Sequence, residues 1–333
     1  MLNVAVIGTG TMGKHHARVY SELDNTELVA VCDINTKKAK YIAKKYGCKW
    51  YKDYKEMFNK EKIDAVSIVT PTSQHEKVAV DVAGMNKHLL VEKPIASSVE
   101  SAKRIINEAR KNHVKLMIGH IERFNPIIQK TKKVITSGKV GDIYSISSKR
   151  IGPFYSRVKD VGVILDLAVH DLDVIYYLLN EKPEKIFCFD IRNIPGLKTN
   201  YETCAHILLK FKSGKIGSVE VNCVSAKKIR ELMVVGSSAL LNINYIKQEL
   251  IMKEKANSIL IEDYEDLIRA LTMGEEKTIT LDKEEPLKVE LEHFVNCIEK
   301  NREPLVTGED GIFALKLALA VLRSANTGKI IEI

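Results

Sequence analysis

Long apolar runs, internal repeats and low-complexity segments are all absent from this 333-residue sequence. No run approaches the roughly 18 consecutive apolar residues that a membrane span requires, so we do not expect a membrane protein. The first predicted strand begins at Leu2, which leaves no space for a signal peptide ahead of it. We therefore expect a globular protein of the cytoplasm.

The cysteines lack the close pairs that zinc and redox motifs use. They fall singly within strand-like or helix-like runs, and we interpret them as small buried hydrophobic residues. His15 and His16 have no acidic or thiol partners nearby in the sequence, so no metal site is predicted. The six cysteines are Cys32, Cys48, Cys188, Cys204, Cys223 and Cys297.

The net charge of +8 is spread over lysine-rich helix faces such as NTKKAKYIAKKYG, residues 35–47. Amphipathic spacing of this kind is typical of a solvated surface. No basic block is interleaved with aromatic residues, so nucleic-acid binding is not expected. A basic surface would also suit a substrate or cofactor that carries phosphates.

Residues 1–120 alternate short apolar runs with amphipathic helical stretches, at a spacing typical of βα units. The apolar runs are nearly continuous, as expected for parallel strands covered on both faces. This region therefore predicts a doubly wound parallel sheet. Its predicted strands are LNVAVI, ELVAVC, DAVSIV, HLLVE and VKLMIGH.

Residues 121–333 have a different character, with two helical stretches followed by a series of strands and glycine-containing turns. Strands in series predict a largely antiparallel, open sheet and hence a second, α+β domain. The chain closes with an amphipathic helix that has an acidic first turn and Gly328 just beyond its end. We expect the second domain to bind substrate and to form oligomer contacts.

The stretch VIGTGTMGKHH carries Gly8, Gly10 and Gly13 in the G-x-G-x-x-G spacing, with Thr11 and Met12 between the last two. These glycines allow a tight turn, close backbone approach to a pyrophosphate and close packing of helix on strand. The motif follows a strand and opens a helix, which is the context of a dinucleotide site.

The next predicted strand ends in Asp33, 20 residues after Gly13. A carboxylate at this spacing binds the adenosine ribose hydroxyls and repels a 2′-phosphate, which favours NAD over NADP. A flavin or nucleotide-sugar site, or an aspartate that only caps the following helix, are the alternatives.

Two further features of the sequence indicate candidate catalytic residues. Lys93 follows the strand HLLVE at the carboxyl end, the edge of an open α/β sheet where ligands gather. The stretch DLAVHDLDVIYY places Asp166, His170, Asp173 and Tyr177 on one stripe of a helix. A structural histidine and an N-terminal helix charge are the simpler interpretations of His170 and Asp166.

Four stretches in order along the chain, VIGTGTMGKHHA, VTPTSQHEKVA, LLVEKPIA and LDLAVHDLD, resemble the glucose–fructose oxidoreductase, inositol dehydrogenase and rhizopine-catabolism family of sugar oxidoreductases. The resemblance spans the whole chain, and Glu92-Lys93-Pro94 is its most specific element. It implies a Rossmann domain and NAD(P)-dependent dehydrogenase activity. Within the family, GHIERFNP and the segment around Asp166 most resemble UDP-N-acetylglucosamine 3-dehydrogenases.

The resemblance also implies roles for individual residues. Lys93 lies beside the reacting alcohol, in a turn whose Lys–Pro bond is commonly cis, and shares the substrate site with Asp166 and His170. Glu92 reaches the cofactor ribose. The residues implied on the nicotinamide side are Thr70, Pro71 and His75. Many members have a run of glycines before the aspartate, whereas this chain has Gly162 alone.

Oxidation of a secondary alcohol requires loss of a hydride and of the hydroxyl proton. His170 suits the general base, because its ordinary pKa of about 6.5 is close to working pH, although Lys93 is the alternative base. For a nucleotide-sugar diphosphate, arginine forks are the best ligands, and Arg123, Arg150 and Arg157 are the candidates. Surface charge is an equal alternative for Arg150 and Arg157. Asn125 is a candidate for hydrogen bonding to a sugar hydroxyl.

These features predict an NAD-dependent enzyme that oxidises C3 of UDP-N-acetylglucosamine in nucleotide-sugar biosynthesis. The alternatives are a dehydrogenase of a free sugar, inositol or another nucleotide sugar, or a non-catalytic sensor of NAD and sugar. A sensor needs no proton acceptor, so the presence of Lys93, Asp166 and His170 argues against it. An open sheet face would need cover, which predicts a homodimer or homotetramer.

Overall fold

The computed structural model describes residues 1–153, 161–194, 199–255, 265 and 276–333. The chain divides into two compact units, each built from two segments. The first unit comprises Met1–Phe124 and Glu285–Lys316, and the second comprises Asn125–Glu284 and Leu317–Ile333. Among the described residues, no helix combines the length and the apolar character needed to cross a membrane.

The first unit contains the predicted parallel sheet, with strand order β3-β2-β1-β4-β5-β6. The order reverses between β1 and β4, and open α/β sheets bind ligands beyond the carboxyl ends of their strands at such a point. The sequence prediction missed β3, which has only three residues. The strands are β1 (Leu2–Ile7), β2 (Thr26–Cys32), β3 (Lys49–Tyr51), β4 (Ala65–Ile68), β5 (His88–Glu92) and β6 (Leu116–Gly119).

Helices connect these strands, and three of them begin at a capping side chain. The side chains of Asn35, Asp53 and Ser98 each accept a hydrogen bond from a backbone N–H in the first turn that follows. Such acceptors satisfy N–H groups that have no partner within the helix. The helices are α1 (Gly13–Glu22), α2 (Thr36–Tyr46), α3 (Tyr54–Lys60), α4 (Thr72–Gly84) and α5 (Val99–Lys111).

Two helices near the end of the chain pack at least partly in the first unit. Helix α8 (Pro286–Glu299) contacts α1, and α9 (Gly308–Thr327) begins against the sheet. A Cβ at Gly308 would lie 2.5 Å from Ile106, so glycine is required for this close approach. The sequence prediction assigned all of 121–333 to the second domain, because such distant packing leaves no local signal.

The second unit contains a nine-stranded sheet in the order β14-β13-β12-β11-β7-β10-β9-β8-β15. Its pairs are antiparallel except β7 with β10, which confirms the predicted fold class. The strands are β7 (Ile143–Ile151), β8 (Pro183–Ile191), β9 (Cys204–Phe211), β10 (Ile216–Asn222), β11 (Ile229–Gly236), β12 (Ala239–Asn244), β13 (Glu249–Glu254), β14 (Glu276–Thr280) and β15 (Ile331–Glu332).

One face of this sheet is buried and the other is open in the single chain. Helix α7 (Val169–Leu179) contacts β7 and β10, and α6 (Pro126–Thr136) contacts β12 and β13. Along β9, Ile207 and Leu209 are buried whereas His206 and Leu208 are exposed, as the two-residue period of a strand requires. Exposed apolar side chains therefore lie on the open face.

Candidate active site

The glycine loop of the first unit joins β1 to α1 in a tight turn. Gly8 has φ +97°, and a Cβ there would lie 2.4 Å from the Val69 carbonyl oxygen. A Cβ at Gly13 would lie 1.8 Å from the carbonyl oxygen of Gly8. A Cβ at Gly10 would meet nothing within 4 Å, so the loop presents its backbone to open space at that residue. The close contacts at Gly8 and Gly13 and the open space at Gly10 match the steric requirements of the motif.

The start of α1 is suited to an anion. The helix has no side-chain cap and no acidic residue in its first turn. The backbone N–H groups of Gly10, Thr11 and Met12 donate to no acceptor in the described part of the chain. Unsatisfied N–H groups and the helix dipole together attract phosphate, so these residues fit the pyrophosphate of a dinucleotide.

Asp33 follows β2 and holds the glycine loop. Its Oδ2 accepts hydrogen bonds from the Thr9 N–H at 2.7 Å and the Thr9 hydroxyl at 2.8 Å. Its Oδ1 accepts from the N–H of Asn35 at 2.8 Å. The carboxylate therefore fixes the loop between β1 and α1, a contact that the sequence spacing did not predict.

Glu92 points into the first unit and meets a partner on α1. Its carboxylate accepts a hydrogen bond from His16 Nε2 at 3.0 Å and one from the Lys93 N–H at 3.1 Å. Burial alone would raise the pKa of Glu92, but the hydrogen bond from His16 and the charges of His16 and Lys93 outweigh it and lower the pKa. Gly119 leaves space for this carboxylate, because a Cβ there would lie 3.1 Å from the carboxyl carbon.

The turn after β5 carries Lys93, and the Lys93–Pro94 peptide bond is cis, as the resemblance implies. The His75 side chain contacts the backbone of this turn. Its Nδ1 lies 3.0 Å from the Pro94 carbonyl oxygen, and its Nε2 lies 2.9 Å from that of Thr70. Burial lowers the pKa of His75, and the two carbonyls offset part of that effect.

His75 therefore ties together the turns that follow β4 and β5. Its side chain is buried, whereas the prediction placed it with Thr70 and Pro71 on the nicotinamide side. Thr70 is half-buried and Pro71 is exposed, so these two keep access to the carboxyl edge of the sheet. The structure indicates a positioning role for the imidazole.

Glu290 on α8 is an unexpected feature of this unit. The residue is fully buried, and neither carboxyl oxygen has a hydrogen-bond partner within the described residues. Burial, and then the negative charges of Glu92 and Glu122, raise the pKa of Glu290 well above its ordinary value. The folded chain therefore holds this carboxyl in its neutral form at higher pH than the unfolded chain does.

Glu290→Gln should change how stability depends on pH. Protonation of Glu290 makes its full contribution to the free energy of unfolding at pH values below the ordinary glutamate pKa of about 4.3. This contribution is lost as pH rises through the native pKa. Relative to the variant, the wild-type free energy of unfolding should fall by up to about 1.4 kcal/mol per pH unit in that window. Urea denaturation at a series of pH values measures it. Glu292→Gln, an exposed change on the same helix, is the control, and parallel wild-type and Glu290→Gln curves would contradict the account.

Arg123 and Asn125 were predicted to contact substrate, but both are buried and have internal partners. Arg123 Nη2 donates to Asp310 at 3.1 Å within the first unit. The Asn125 side chain caps α6 by accepting from the Ile127 N–H, and it donates to the Tyr245 carbonyl. These contacts give both side chains structural functions that depend on partners far away in sequence.

The second unit carries the other predicted catalytic residues on one helical element. A π-helical turn, Ile164–Ala168, contains Asp166 and continues directly into α7, which contains His170. Both side chains are half-buried. The predicted polar stripe is interrupted, because Asp173 is buried. π-helical turns are rare and are found frequently at functional sites.

Asp166 lines a cavity of about 290 Å³ in the second unit. The cavity mixes acidic, basic and polar side chains, which suits a ligand with several hydroxyl groups. Its lining includes Asp166, Tyr201, Glu202, Cys223, Lys228 and Arg230.

Arg150 has a structural partner that sequence analysis missed. Its Nε donates to Asp171 Oδ2 at 2.6 Å, and Ser148 donates to the other carboxylate oxygen at 2.5 Å. Asp171 is fully buried, and the guanidinium lies over the ring of Tyr245. Arg150 is thus a buried ion-pair partner rather than a surface charge. The remaining candidate, Arg157, lies outside the described residues.

Two protein-family models match successive parts of this chain. A model described as an oxidoreductase family with an NAD-binding Rossmann fold matches residues 2–120. A second model, described as the C-terminal alpha/beta domain of that oxidoreductase family, matches residues 132–333. The two matches cover most of the chain.

Similar proteins include two enzymes of known substrate. The UDP-N-acetylglucosamine 3-dehydrogenase of Acidithiobacillus ferrooxidans is 26% identical over 96% of each chain. The scyllo-inositol 2-dehydrogenase (NAD(+)) of Bacillus subtilis is 28% identical over 99% of this chain and 95% of its own. A solved structure of the Acidithiobacillus enzyme superposes with a TM-score of 0.85 and covers 97% of both chains.

Proposed function

We propose, from the premise that this chain belongs to the oxidoreductase family with an NAD-binding Rossmann domain and a C-terminal alpha/beta domain, that it oxidises C3 of UDP-N-acetylglucosamine to the 3-keto sugar. Dehydrogenase activity on a sugar or polyol hydroxyl is common to its relatives of known substrate. The observation that carries the proposal is the Glu92-Lys93-Pro94 turn, which follows β5 in the same unit as an open dinucleotide loop.

NAD is the proposed cofactor, in preference to NADP. The loop formed by Gly8, Gly10, Thr11, Met12 and Gly13 would hold the pyrophosphate. Asp33 would accept hydrogen bonds from the adenosine ribose, and its charge would repel a 2′-phosphate. Glu92 and the surface formed by Thr70 and Pro71 complete the proposed cofactor side. Bound NAD supplies the hydride acceptor.

Asp33→Asn tests this cofactor assignment. Loss of a hydrogen bond to a charged group costs about 1.5–3 kcal/mol, so the KM for NAD should rise about 10- to 100-fold. The KM for NADP should rise less, because the repulsive charge is removed. Steady-state kinetics with both cofactors measures the ratio, with the exposed Asp24→Asn as control. An unchanged ratio of the two KM values would contradict the role of Asp33.

Three side chains are proposed to act on the alcohol. His170 accepts the hydroxyl proton on an imidazole nitrogen, so the oxygen gains negative charge as the O–H bond breaks. The oxygen electron pair then forms the carbonyl as the C–H bond breaks and the hydride leaves. The Lys93 ammonium donates a hydrogen bond to that oxygen and stabilises the charge. Asp166 orients His170 or a sugar hydroxyl. Arg157 stays a candidate for the diphosphate, whereas the internal partners of Arg123 and Arg150 argue against that role for them.

A dehydrogenase of inositol, a free sugar or another nucleotide sugar is the second candidate. It is supported by the Bacillus scyllo-inositol enzyme, which is as similar to this chain as the nucleotide-sugar enzyme is. A panel of UDP-N-acetylglucosamine, scyllo- and myo-inositol, and free N-acetylglucosamine, assayed by NADH formation, separates the two. We expect the highest kcat/KM with the UDP-sugar. Turnover of inositol or free sugar without turnover of UDP-sugars would contradict the substrate assignment.

The open face of the second-unit sheet supports a proposed homodimer or homotetramer. Strand register aligns Met233, Ser147, Ser218 and Leu208 across four neighbouring strands, and Met233 and Leu208 are exposed. Burying this mixed face against a second copy would remove apolar surface from water. Light scattering should give a multiple of the 37.5 kDa chain, and a monomer at micromolar concentration would contradict the proposal. A cytoplasmic location is proposed on the absence of a described membrane-spanning helix.

A further inference from the structure

Glu202 precedes β9 and reaches the helical element that carries Asp166. Its side chain is buried, and its Oε1 accepts a hydrogen bond from the backbone N–H of Ile164 at 3.1 Å. Its own carbonyl accepts a hydrogen bond from the N–H of Val163, also at 3.1 Å. Glu202 thus accepts hydrogen bonds from the two backbone N–H groups, of Val163 and Ile164, at the start of the π-helical turn.

Gly162 leaves the space that this carboxylate occupies. A Cβ at residue 162 would lie 2.1 Å from the carboxyl carbon of Glu202. Gly162 does not have a positive φ, so glycine is required here for space rather than for backbone conformation. The single glycine before the aspartate therefore has a physical explanation. A side chain at residue 162 would force the Glu202 carboxylate out of the place where it accepts from Ile164.

The same glycine supports Asp166 directly. The N–H of Asp166 donates to the carbonyl of Gly162 at 3.0 Å, so the residue against Glu202 is also the hydrogen-bond acceptor for the aspartate backbone. A carboxylate at a helix N-terminus satisfies an otherwise unpaired N–H and interacts favourably with the dipole. Burial raises the pKa of Glu202, and the N–H of Ile164 offsets part of this effect.

We propose that Glu202 is a positioning residue that fixes the π-helical turn and thereby the direction of Asp166. It acts through Ile164 and Gly162 rather than on the reacting carbon. The inference rests on the proposed function, because that function gives Asp166 its place beside the substrate.

Glu202→Ala and Glu202→Gln test the proposal. Alanine removes the acceptor for Ile164, and a misplacement of about 1 Å can cost about 100-fold in rate, so kcat should fall by about 10- to 100-fold. Glutamine keeps an oxygen acceptor of the same length, so it should lose much less. The KM for NAD should not change in either variant, because the glycine loop belongs to the first unit. The control is Glu184→Ala, an exposed glutamate on β8.

Gly162→Ala provides an independent test. Alone, its methyl group collides with the Glu202 carboxylate, so kcat should fall. Combined with Glu202→Ala, the collision is absent, and the double variant should be no slower than Glu202→Ala alone. Circular dichroism and NADH binding show that each variant is folded. This non-additivity would not arise if the two residues acted separately.

Two outcomes would overturn different claims. Wild-type kcat in a folded Glu202→Ala variant, or additive losses in the double variant, would overturn the positioning of Asp166 while the dehydrogenase function stands. Absence of turnover by the wild-type protein on every sugar tested would overturn the proposed function, and the positioning proposal with it.

Discussion

His170→Ala is expected to lower kcat by about 10²- to 10⁴-fold, because the hydroxyl proton then has no positioned acceptor as the hydride leaves. The loss should appear in kcat and in kcat/KM together, since a general base acts in the transition state. Binding of NADH should be unaffected, because the dinucleotide loop belongs to the first unit. Steady-state kinetics and NADH fluorescence titration measure the two effects.

The same experiment distinguishes the two candidate bases. If His170 is the base, its alanine variant should lose the acidic limb of the kcat/KM profile that reports imidazole titration. Lys93→Met should then lower kcat by about 10²- to 10³-fold through loss of charge stabilisation, while the acidic limb stays. The exposed His113→Asn is the control, because asparagine tolerates the positive φ of residue 113. Near-normal turnover in His170→Ala would transfer the proton-accepting role to Lys93.

Arg150→Ala is expected to destabilise the second unit by about 3–5 kcal/mol. The variant leaves Asp171 fully buried with the hydroxyl of Ser148 but without its cation. An uncompensated buried charge costs far more than the pair contributes, because Asp171 keeps its desolvation penalty and loses the attraction that offset it. Urea denaturation followed by circular dichroism measures the change in the free energy of unfolding.

Two further variants show that the effect belongs to the buried pair. Lys60→Ala breaks an ion pair with Glu56 on α3, but both side chains are exposed to solvent, so the expected cost is about 0–1 kcal/mol. Arg150→Met with Asp171→Leu removes both charges and should be more stable than Arg150→Ala. A cost for Arg150→Ala no larger than that for Lys60→Ala would contradict the assignment.

The elements of the first unit could be predicted because their signals are local. A strand such as LNVAVI and the glycines that follow it each depend on a few adjacent residues. The three-residue β3 was missed because its pattern is too short to distinguish from a turn. The helix with Asp166 and His170 was predicted for the same local reason, although its first turn is π-helical.

The partners of the charged residues could not be predicted, because they depend on contacts between distant segments. Glu92 meets His16, which is 76 residues away, and Arg123 meets Asp310, which is 187 residues away. A sequence pattern shows that an arginine is present, but not whether a carboxylate will be buried beside it. For this reason Arg123 was predicted as a substrate contact, and Arg150 was left as either a diphosphate ligand or a surface charge. The dependence of Gly162 on Glu202 emerged only from the structure.

The transfer of deuterium from UDP-N-acetylglucosamine labelled at C3 tests the central claim most directly. The account predicts that the wild-type enzyme with NAD forms NADH carrying one deuterium and a 3-keto sugar without it, as mass spectrometry would detect. Unlabelled NADH, or no NADH from this substrate while another sugar is oxidised, would contradict it.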